Sequence, residues 1–294
     1  MGVAVDEVGE VGGGEVVDAL GNKVVYFFNR LNLNTKTVNQ VGKAWSSTYD
    51  GLGRTIKSVA PEGNSVEYTF NNKSQVTAMT VKPKTGSPLA NLVTNMTYEA
   101  TWNTLKTVQD PNGNTTTFNY DAVKGLLLNI QRPVVSGSTP QVTFTYNTRG
   151  QPITRTDETG IITQFNYDVS TEKLTSIVHD QGVGRLNITT SFIYNTWGDV
   201  ATVTDPRGNA TTFVFDNLRR MAQRTESAPF GYVTNFVYTD NSKISSMQRQ
   251  TGDVLNPWQS VSYTYSLTDK LKTIIDPSSN VTTLDYDGLD RLWK

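Results

Sequence analysis

An aromatic residue recurs along this chain every 21 to 28 positions, at Phe28, Tyr49, Phe70, Tyr98, Tyr120, Tyr146, Tyr167, Tyr194, Phe215, Tyr238, Tyr265 and Tyr286. In nine of these twelve places the next residue is Asp or Asn. A fixed period of this size marks a repeat architecture, in which one small unit is stacked many times and each unit leans on its neighbours. No other feature constrains the fold as strongly. The period accounts for most of the Tyr, Phe, Thr, Asn and Gly before any of them is asked to do chemistry.

Spacing inside the unit identifies its structure. Two residues before the anchor stands an aromatic in nine units, among them Tyr26, Tyr68, Phe118, Phe165, Phe213 and Tyr263. Four before it stands Val or Thr in every unit except one, where Trp45 takes the place. Positions two apart share one face of a strand, whereas a helix needs spacings of three and four. Each unit therefore supplies a strand with a β-branched residue and aromatics on one face, and the fold class is all-β.

Turn chemistry is placed as firmly. Seven residues before the anchor lie Gly21, Gly63, Gly113, Gly160, Gly208 and Gly231, with Ser279 once. Asp110-Pro111, Asp205-Pro206 and Asp276-Pro277 precede three of these positions. An Asp side chain bonds the backbone ahead of it, Pro fixes φ near −65°, and Gly accepts positive φ. The Asp or Asn after each anchor closes the strand in the same manner, often with Gly four beyond the anchor, as at Gly53, Gly150 and Gly198. The expected architecture is a meander of hairpins forming one long, twisted, curved antiparallel sheet, an open spiral or partial shell. An isolated hairpin is marginal in water, so stacking is obligatory.

Longer units insert five or six residues, at 82–88, 134–140, 180–184 and 252–258. These insertions are expected to project from one edge of the sheet, at alternate hairpins. Residues 1–17 read as a flexible lead-in around Gly12-Gly13-Gly14 or as a degenerate repeat. Residues 18–294 read as an array of about twelve strand–turn–strand units that stops inside a repeat.

Composition narrows the function. The net charge is −1 with basic residues scattered, so the electrostatic footprint of a nucleic-acid binder is missing. No apolar run approaches the ~18 residues that would cross a bilayer as a helix. The sequence has no cysteine, which excludes disulfides, thiolate metal sites and a Cys nucleophile. The N-terminus, with Asp6, Glu7 and Glu10 and no basic stretch, does not resemble a signal peptide.

Tyr49-Asp50-Gly51-Leu52-Gly53-Arg54, followed by Pro61-Glu62-Gly63-Asn64 and Tyr68-Thr69-Phe70-Asn71, resembles the RHS/YD-repeat family. Tyr286-Asp287-Gly288-Leu289-Asp290-Arg291 is similar, with Asp290 where the motif has Gly, and the units ending at Tyr98 and Tyr238 are degenerate. The resemblance implies shell-forming repeats of the kind found in bacterial toxin complexes, rearrangement-hotspot effectors and teneurins. In the bacterial members the shell holds a C-terminal toxin polypeptide. The implied partners are the remainder of a larger shell or a toxin cargo, and the implied setting is secreted or cell-surface, in a bacterium.

Candidate chemistry is thin. Asp110, Asp205 and Asp276 are carboxylates to weigh as cleavage residues, and each is expected instead to cap a turn. His179, the one histidine, is expected on a loop without a nucleophile near it. Glu7, Glu10 and Glu15 lack the spacing of a calcium loop. Trp45, Trp102, Trp197 and Trp258 are the aromatics with some prospect of stacking on sugars. The sequence thus carries no catalytic, cofactor or metal residue, and the anchors and turn glycines are structural. The leading function is a non-catalytic shell wall. A teneurin-like adhesion or carbohydrate-binding module is the alternative, and a polysaccharide-degrading β-protein ranks third. Unpaired terminal strands are expected to promote self-association.

Overall fold

The structure, a computed structural model, describes residues 12–17, 21, 23–286 and 292. Asp287 to Arg291 of the last repeat motif, and the acidic residues Asp6, Glu7 and Glu10, lie outside them. Among the described residues there are 24 strands and no helix, from Gly12–Val17 to Val281–Thr283, in one antiparallel sheet. The chain divides into two compact units, Met1–Thr143 and Phe144–Lys294.

In the first unit each strand pairs with the next along the chain. Gly12–Val17 lies against Lys23–Phe28, so the three glycines near the N-terminus are strand backbone. In the second unit the same meander runs from Pro152–Thr156 to Val281–Thr283. Adjacent strands are joined by short turns because the local sequence there cannot continue a ladder: an Asp, Asn, Thr or Ser starts most of the common turns, Ala60 and Glu99 being exceptions, and a positive-φ residue ends them.

One edge of each unit holds the turns that follow the anchors; we term it the anchor edge. The opposite edge holds the Asp-Pro turns and the long insertions; we term it the insertion edge. The long loops fall at 83–91 and 132–140 in the first unit, and at 180–187, 226–232 and 251–257 in the second. The alternation of long and short loops stops after 226–232, where the next long loop follows one repeat later.

The register between repeats is constant. The residue two before one anchor is linked, through one residue of the intervening strand, to the residue four before the next anchor. Tyr26–Thr37–Trp45 and Ser47–Ser58–Val66 show this in the first unit. Phe192–Val203–Thr211 and Phe236–Met247–Val261 show it in the second. Ten of the repeat junctions have both pairings and all ten obey it. The insertions lengthen loops without altering this stagger.

Burial is unusual for a sheet. Among the described residues Val142 is the one buried large hydrophobic, and no side chain is fully buried. The aromatics two before the anchors are half-buried. A sheet in a globular domain normally hides one face under a second layer. Here the rings two before the anchors stay half-buried in a single sheet, so the stabilising contacts described run along the sheet from strand to strand.

Candidate functional surface along the hairpin turns

The turns of both edges are one device used repeatedly. In eleven of them the side-chain oxygen of the first residue accepts the N–H groups two and four residues ahead. The first residues are Asn29, Asn39, Asp50, Asn71, Asp110, Asn147, Asp157, Asn195, Asp205, Asp216 and Asp276. The backbone closes the loop as well: Asp50 N–H donates to the Arg54 carbonyl at 3.0 Å, and Gly53 N–H to the Asp50 carbonyl at 3.0 Å. This is a three-residue hairpin loop, a type I turn followed by a left-handed residue that forms a bulge. The bulge appears as a register shift at the anchor, as between Thr48 and Tyr49.

Where the turn lacks Asp or Asn, other acceptors take the role. Glu99 accepts from the N–H groups of Thr101 and Trp102, and Ser266 from Thr268 and Lys270. The left-handed position is not always Gly. Asn32, Ser74, Arg219, Ser242 and Asp269 hold φ between 58° and 62° there.

The carboxylates that invite a catalytic reading are bound inside these turns. The side-chain amide of the Asn four residues on donates to each of Asp110, Asp205 and Asp276, and this contact is foremost in holding their pKa below the ordinary carboxylate range. The hydroxyl of Ser170, with N–H and hydroxyl groups of Thr171, lowers Asp168 to about 2. A general acid needs the opposite shift. His179 lies at the end of the strand Leu174–His179, with Nδ1 3.1 Å from Thr163 Oγ1.

The anchors reach backwards. The hydroxyl of Tyr49 donates to the Asn34 carbonyl at 2.7 Å, Tyr98 to Val76 at 2.7 Å and Tyr120 to Leu105 at 2.8 Å. Tyr194, Tyr238 and Tyr265 repeat the contact with Leu174, Met221 and Ile244, each at 2.8 Å. The acceptor is always the first residue of the strand after the previous repeat's bulge. Each such Tyr thus pins the preceding turn.

Side chains at the end of each anchor-edge turn reach forwards. Arg54 bonds Asp50 of its own turn, donates to Ser74 Oγ at 3.0 Å in the next, and lies 4.4 Å from the Phe70 ring centroid. Arg220 does the same with Asp216, Ser242 and the Tyr238 ring at 4.6 Å. Lys173 and Lys243 sit over the rings of Tyr194 and Tyr265. Gln75 and Gln151 donate to the Asn103 and Glu172 carbonyls of the following turns. Trp102 packs flat against Gly125, where an added Cβ would stand 2.7 Å from the indole. The motif's Arg is therefore a staple between repeats.

The sheet face opposite the aromatics is lined by cross-strand polar pairs. Thr69–Thr77, Thr97–Thr107 and Thr264–Thr273 join hydroxyls at 2.6–2.9 Å. Asn119–Asn129 and Asn166–Ser176 do so through an amide. Glu67 lies on this face between Lys57 and Lys82. Ile193, Val214 and Val237 interrupt the polar row and are more than half exposed.

Nothing among the described residues gathers three or more His, Asp or Glu as a metal site would. Open grooves flank the turns, among them one of about 250 Å³ beside Trp102 and Tyr120 and two of about 400 Å³, beside Thr115 and Arg132 and beside Ser266 and Tyr286. Trp45 and Trp258 lie in strands, Trp102 and Trp197 in turns of the anchor edge, and none lies in a long loop. The predicted turn residues Gly63, Gly113, Gly160 and Gly208 sit at insertion-edge turns with positive φ, Gly21 also has positive φ, and Gly231 sits in the seven-residue loop 226–232. Sequence reasoning passed over the turn Asn39–Lys43, whose Asn39 and Gly42 carry the same signal in the same place.

A model of the teneurin YD-shell matches residues 13–189, and an RHS repeat model matches residues 194–233. Among solved structures, the Photorhabdus luminescens Tc holotoxin pore with a mutation in TccC3 shares the fold at a TM-score of 0.66 and 13% identity. The match covers 95% of this chain and 17% of that one. TcdB2–TccC3 without its hypervariable C-terminal region matches at a TM-score of 0.58 and 14% identity, over 92% of this chain and 18% of that one. This chain spans less than a fifth of either. A search of curated proteins returned no match.

Proposed function

The chain belongs to the teneurin YD-shell family, and on that premise we propose that it is a structural wall, a run of hairpins that forms part of a protein shell and carries no catalytic step of its own. The observation that carries this reading is the constant stagger of two residues per repeat. One residue of slip per strand, ~3.4 Å along the strand for ~4.8 Å across it, tilts strands by about 35°. That lies in the range required for a sheet to wrap around a volume. A register that never varies across long and short units is what a wall of uniform curvature needs, and no pocket requires it.

The other features fit the same reading. The anchors and turn glycines act as structural residues, the staples hold repeats side by side, and the face of paired hydroxyls and amides is suited to contact a polypeptide without binding one sequence. The cargo in this proposal is a polypeptide, with the remainder of a larger shell as the second partner, and the setting is secreted or on the surface of a bacterium. Small-angle scattering tests the wall. The expected radius of gyration is well above the ~19 Å of a compact domain of this length, with a distance distribution depleted at short separations. A value near ~19 Å would defeat the proposal. Protease protection of a passenger polypeptide carried with the repeats tests containment, and digestion at the rate of the free passenger would exclude it.

A further inference from the structure

Four anchor rings carry a cation sent forward from the turn before them. Arg54, Lys173, Arg220 and Lys243 each end an anchor-edge turn, where their carbonyls accept from the N–H groups of Asp50, Asp168, Asp216 and Thr239. Their charged heads stand 4.4 Å from the ring centroid of Phe70, 5.1 Å from Tyr194, 4.6 Å from Tyr238 and 5.9 Å from Tyr265. Both arginines also bond the carboxylate that opens their own turn, through the oxygen that does not cap it. Acid, cation and next ring thus form a set.

At the turn 99–104, in the first unit, the set lacks its cation. Glu99 N–H donates to the Thr104 carbonyl at 2.8 Å, so Thr104 stands where Arg54 and Arg220 stand in their turns. Its side chain carries no charge, and its Oγ1 is buried without a hydrogen-bond partner. The acid and the ring are both present. Glu99 caps the turn through Oε2, which leaves Oε1 for another donor. The groove of about 250 Å³ opens beside it, lined by Glu99, Trp102, Lys106, Phe118, Tyr120 and Asp121. Trp102 is 41% exposed and lies against Gly125. Among the described residues Glu99, Asp121 and Lys106 form no ion pair.

We propose that this groove binds a guanidinium group supplied from outside the chain, an arginine head stacked on Tyr120 and bonded to Glu99. The ligand takes the place that Thr104 leaves, and the chemistry is that of the sets completed within the chain. Guanidinium suits the site better than ammonium, because its plane stacks on a ring and its paired donors match a carboxylate. The chain's own sets agree: the two guanidinium groups lie 4.4 and 4.6 Å from their rings, the two ammonium groups 5.1 and 5.9 Å. The groove is smaller than the ~300–1,000 Å³ of a drug-sized site, which fits a single side-chain head. The proposal does not rest on the wall reading, and its failure would leave that reading untouched.

NMR titration of the full chain tests it, followed at the indole N–H of Trp102, which Trp102→Phe assigns. The probes are the N-acetyl amides of arginine, lysine and citrulline at constant ionic strength; citrulline keeps the planar head and loses the charge. Arginine amide should give a saturable shift with a dissociation constant of about 1–10 mM, the scale of one ion pair with one ring contact. Lysine amide should bind about 3-fold more weakly and citrulline amide about 10-fold more weakly. Glu99→Gln keeps an acceptor for the turn and should weaken arginine amide about 10-fold. Thr104→Arg supplies the missing cation from within the chain, so it should abolish the titration with circular dichroism unchanged. Lys106→Gln removes a like charge from the groove and should tighten binding. A capped Gly-Arg-Gly peptide that binds as tightly as free arginine would assign the site to arginines of a polypeptide, and tighter binding of free arginine to the small molecule; either supports the site. The proposal is overturned by the lack of a saturable shift, by equal binding of citrulline amide, or by undiminished binding in Glu99→Gln or in folded Thr104→Arg.

Discussion

Ala60 begins the one short described turn of the insertion edge that no side chain caps, and Ala60→Asp should stabilise the protein. The backbone there already has the form of the capped turns. Ala60 N–H donates to the Asn64 carbonyl at 2.9 Å and Gly63 N–H to the Ala60 carbonyl at 2.9 Å, against 2.9 and 3.0 Å for the matching bonds of Asp110. Pro61 and Asn64 stand where Pro111 and Asn114 stand. A carboxylate at position 60 would therefore accept from the N–H groups of Glu62 and Asn64 and from the Asn64 amide, as Asp110 does from Asn112 and Asn114 at 2.9 Å. Two to three exposed hydrogen bonds, less the repulsion of Glu62 nearby, should give about 1 kcal/mol at neutral pH. Amide exchange at Glu62 and Asn64 is the assay, because unfolding of a repeat array need not be two-state. Exchange should slow about 5-fold at both amides. Ala60→Asn supplies the same acceptor without charge, so its gain should persist at low pH while that of Ala60→Asp fades. Unchanged or faster exchange in a folded Ala60→Asp protein would refute the view that these side chains hold the turns.

The remaining predictions concern the native contacts. Asp110, Asp157, Asp168, Asp205, Asp216 and Asp276 have folded pKa values below their unfolded ones, so their contribution is present above about pH 4. It is lost as pH falls through the folded values, down to about 2 for Asp168, and acid unfolding should fall in that window and shift upward in Asp168→Ala. Arg220→Ala removes the ion pair with Asp216, the bond to Ser242 and the ring contact, and should cost about 2 kcal/mol in urea unfolding with faster exchange over Thr239–Lys243. Arg220→Lys keeps the cation over Tyr238 and should lose roughly half of that; equal stability of all three proteins would refute the staple. Gly125→Ala sets a Cβ against Trp102 at a φ of +69° and should cost about 1–3 kcal/mol, of which Trp102→Ala in the same chain recovers only the steric part.

Much of the fold was legible because it is written locally. The aromatic two before each anchor and the β-branched residue four before it name a strand without reference to anything distant. Asp110-Pro111 and Asp205-Pro206 name a turn by the bonds one side chain makes within five residues. Asn39 and Gly42 carry the same signal in a weaker form, because no Pro stands between them. Ser74 and Arg219 were not legible as left-handed residues, since those types have no general preference for positive φ and the bulge imposes it on them.

Contacts between repeats stayed hidden for a different reason. The motif shows Arg54 five residues after an anchor, and nothing in that spacing says that it stands over the Phe70 ring of the next repeat. Leu52 reads as a consensus position, and its exposure appears once the turn is built.

The sequence by itself determined the period, the all-β class and the chemistry of each turn, because all three depend on residues within a few positions of one another. The tertiary structure alone decided the two-residue stagger between repeats, the partner of each anchor hydroxyl and staple, and which turn side chains stand exposed. Those follow from how strands slide against one another, and that slide is fixed by bulges and cross-strand packing between residues about 20 apart in the chain.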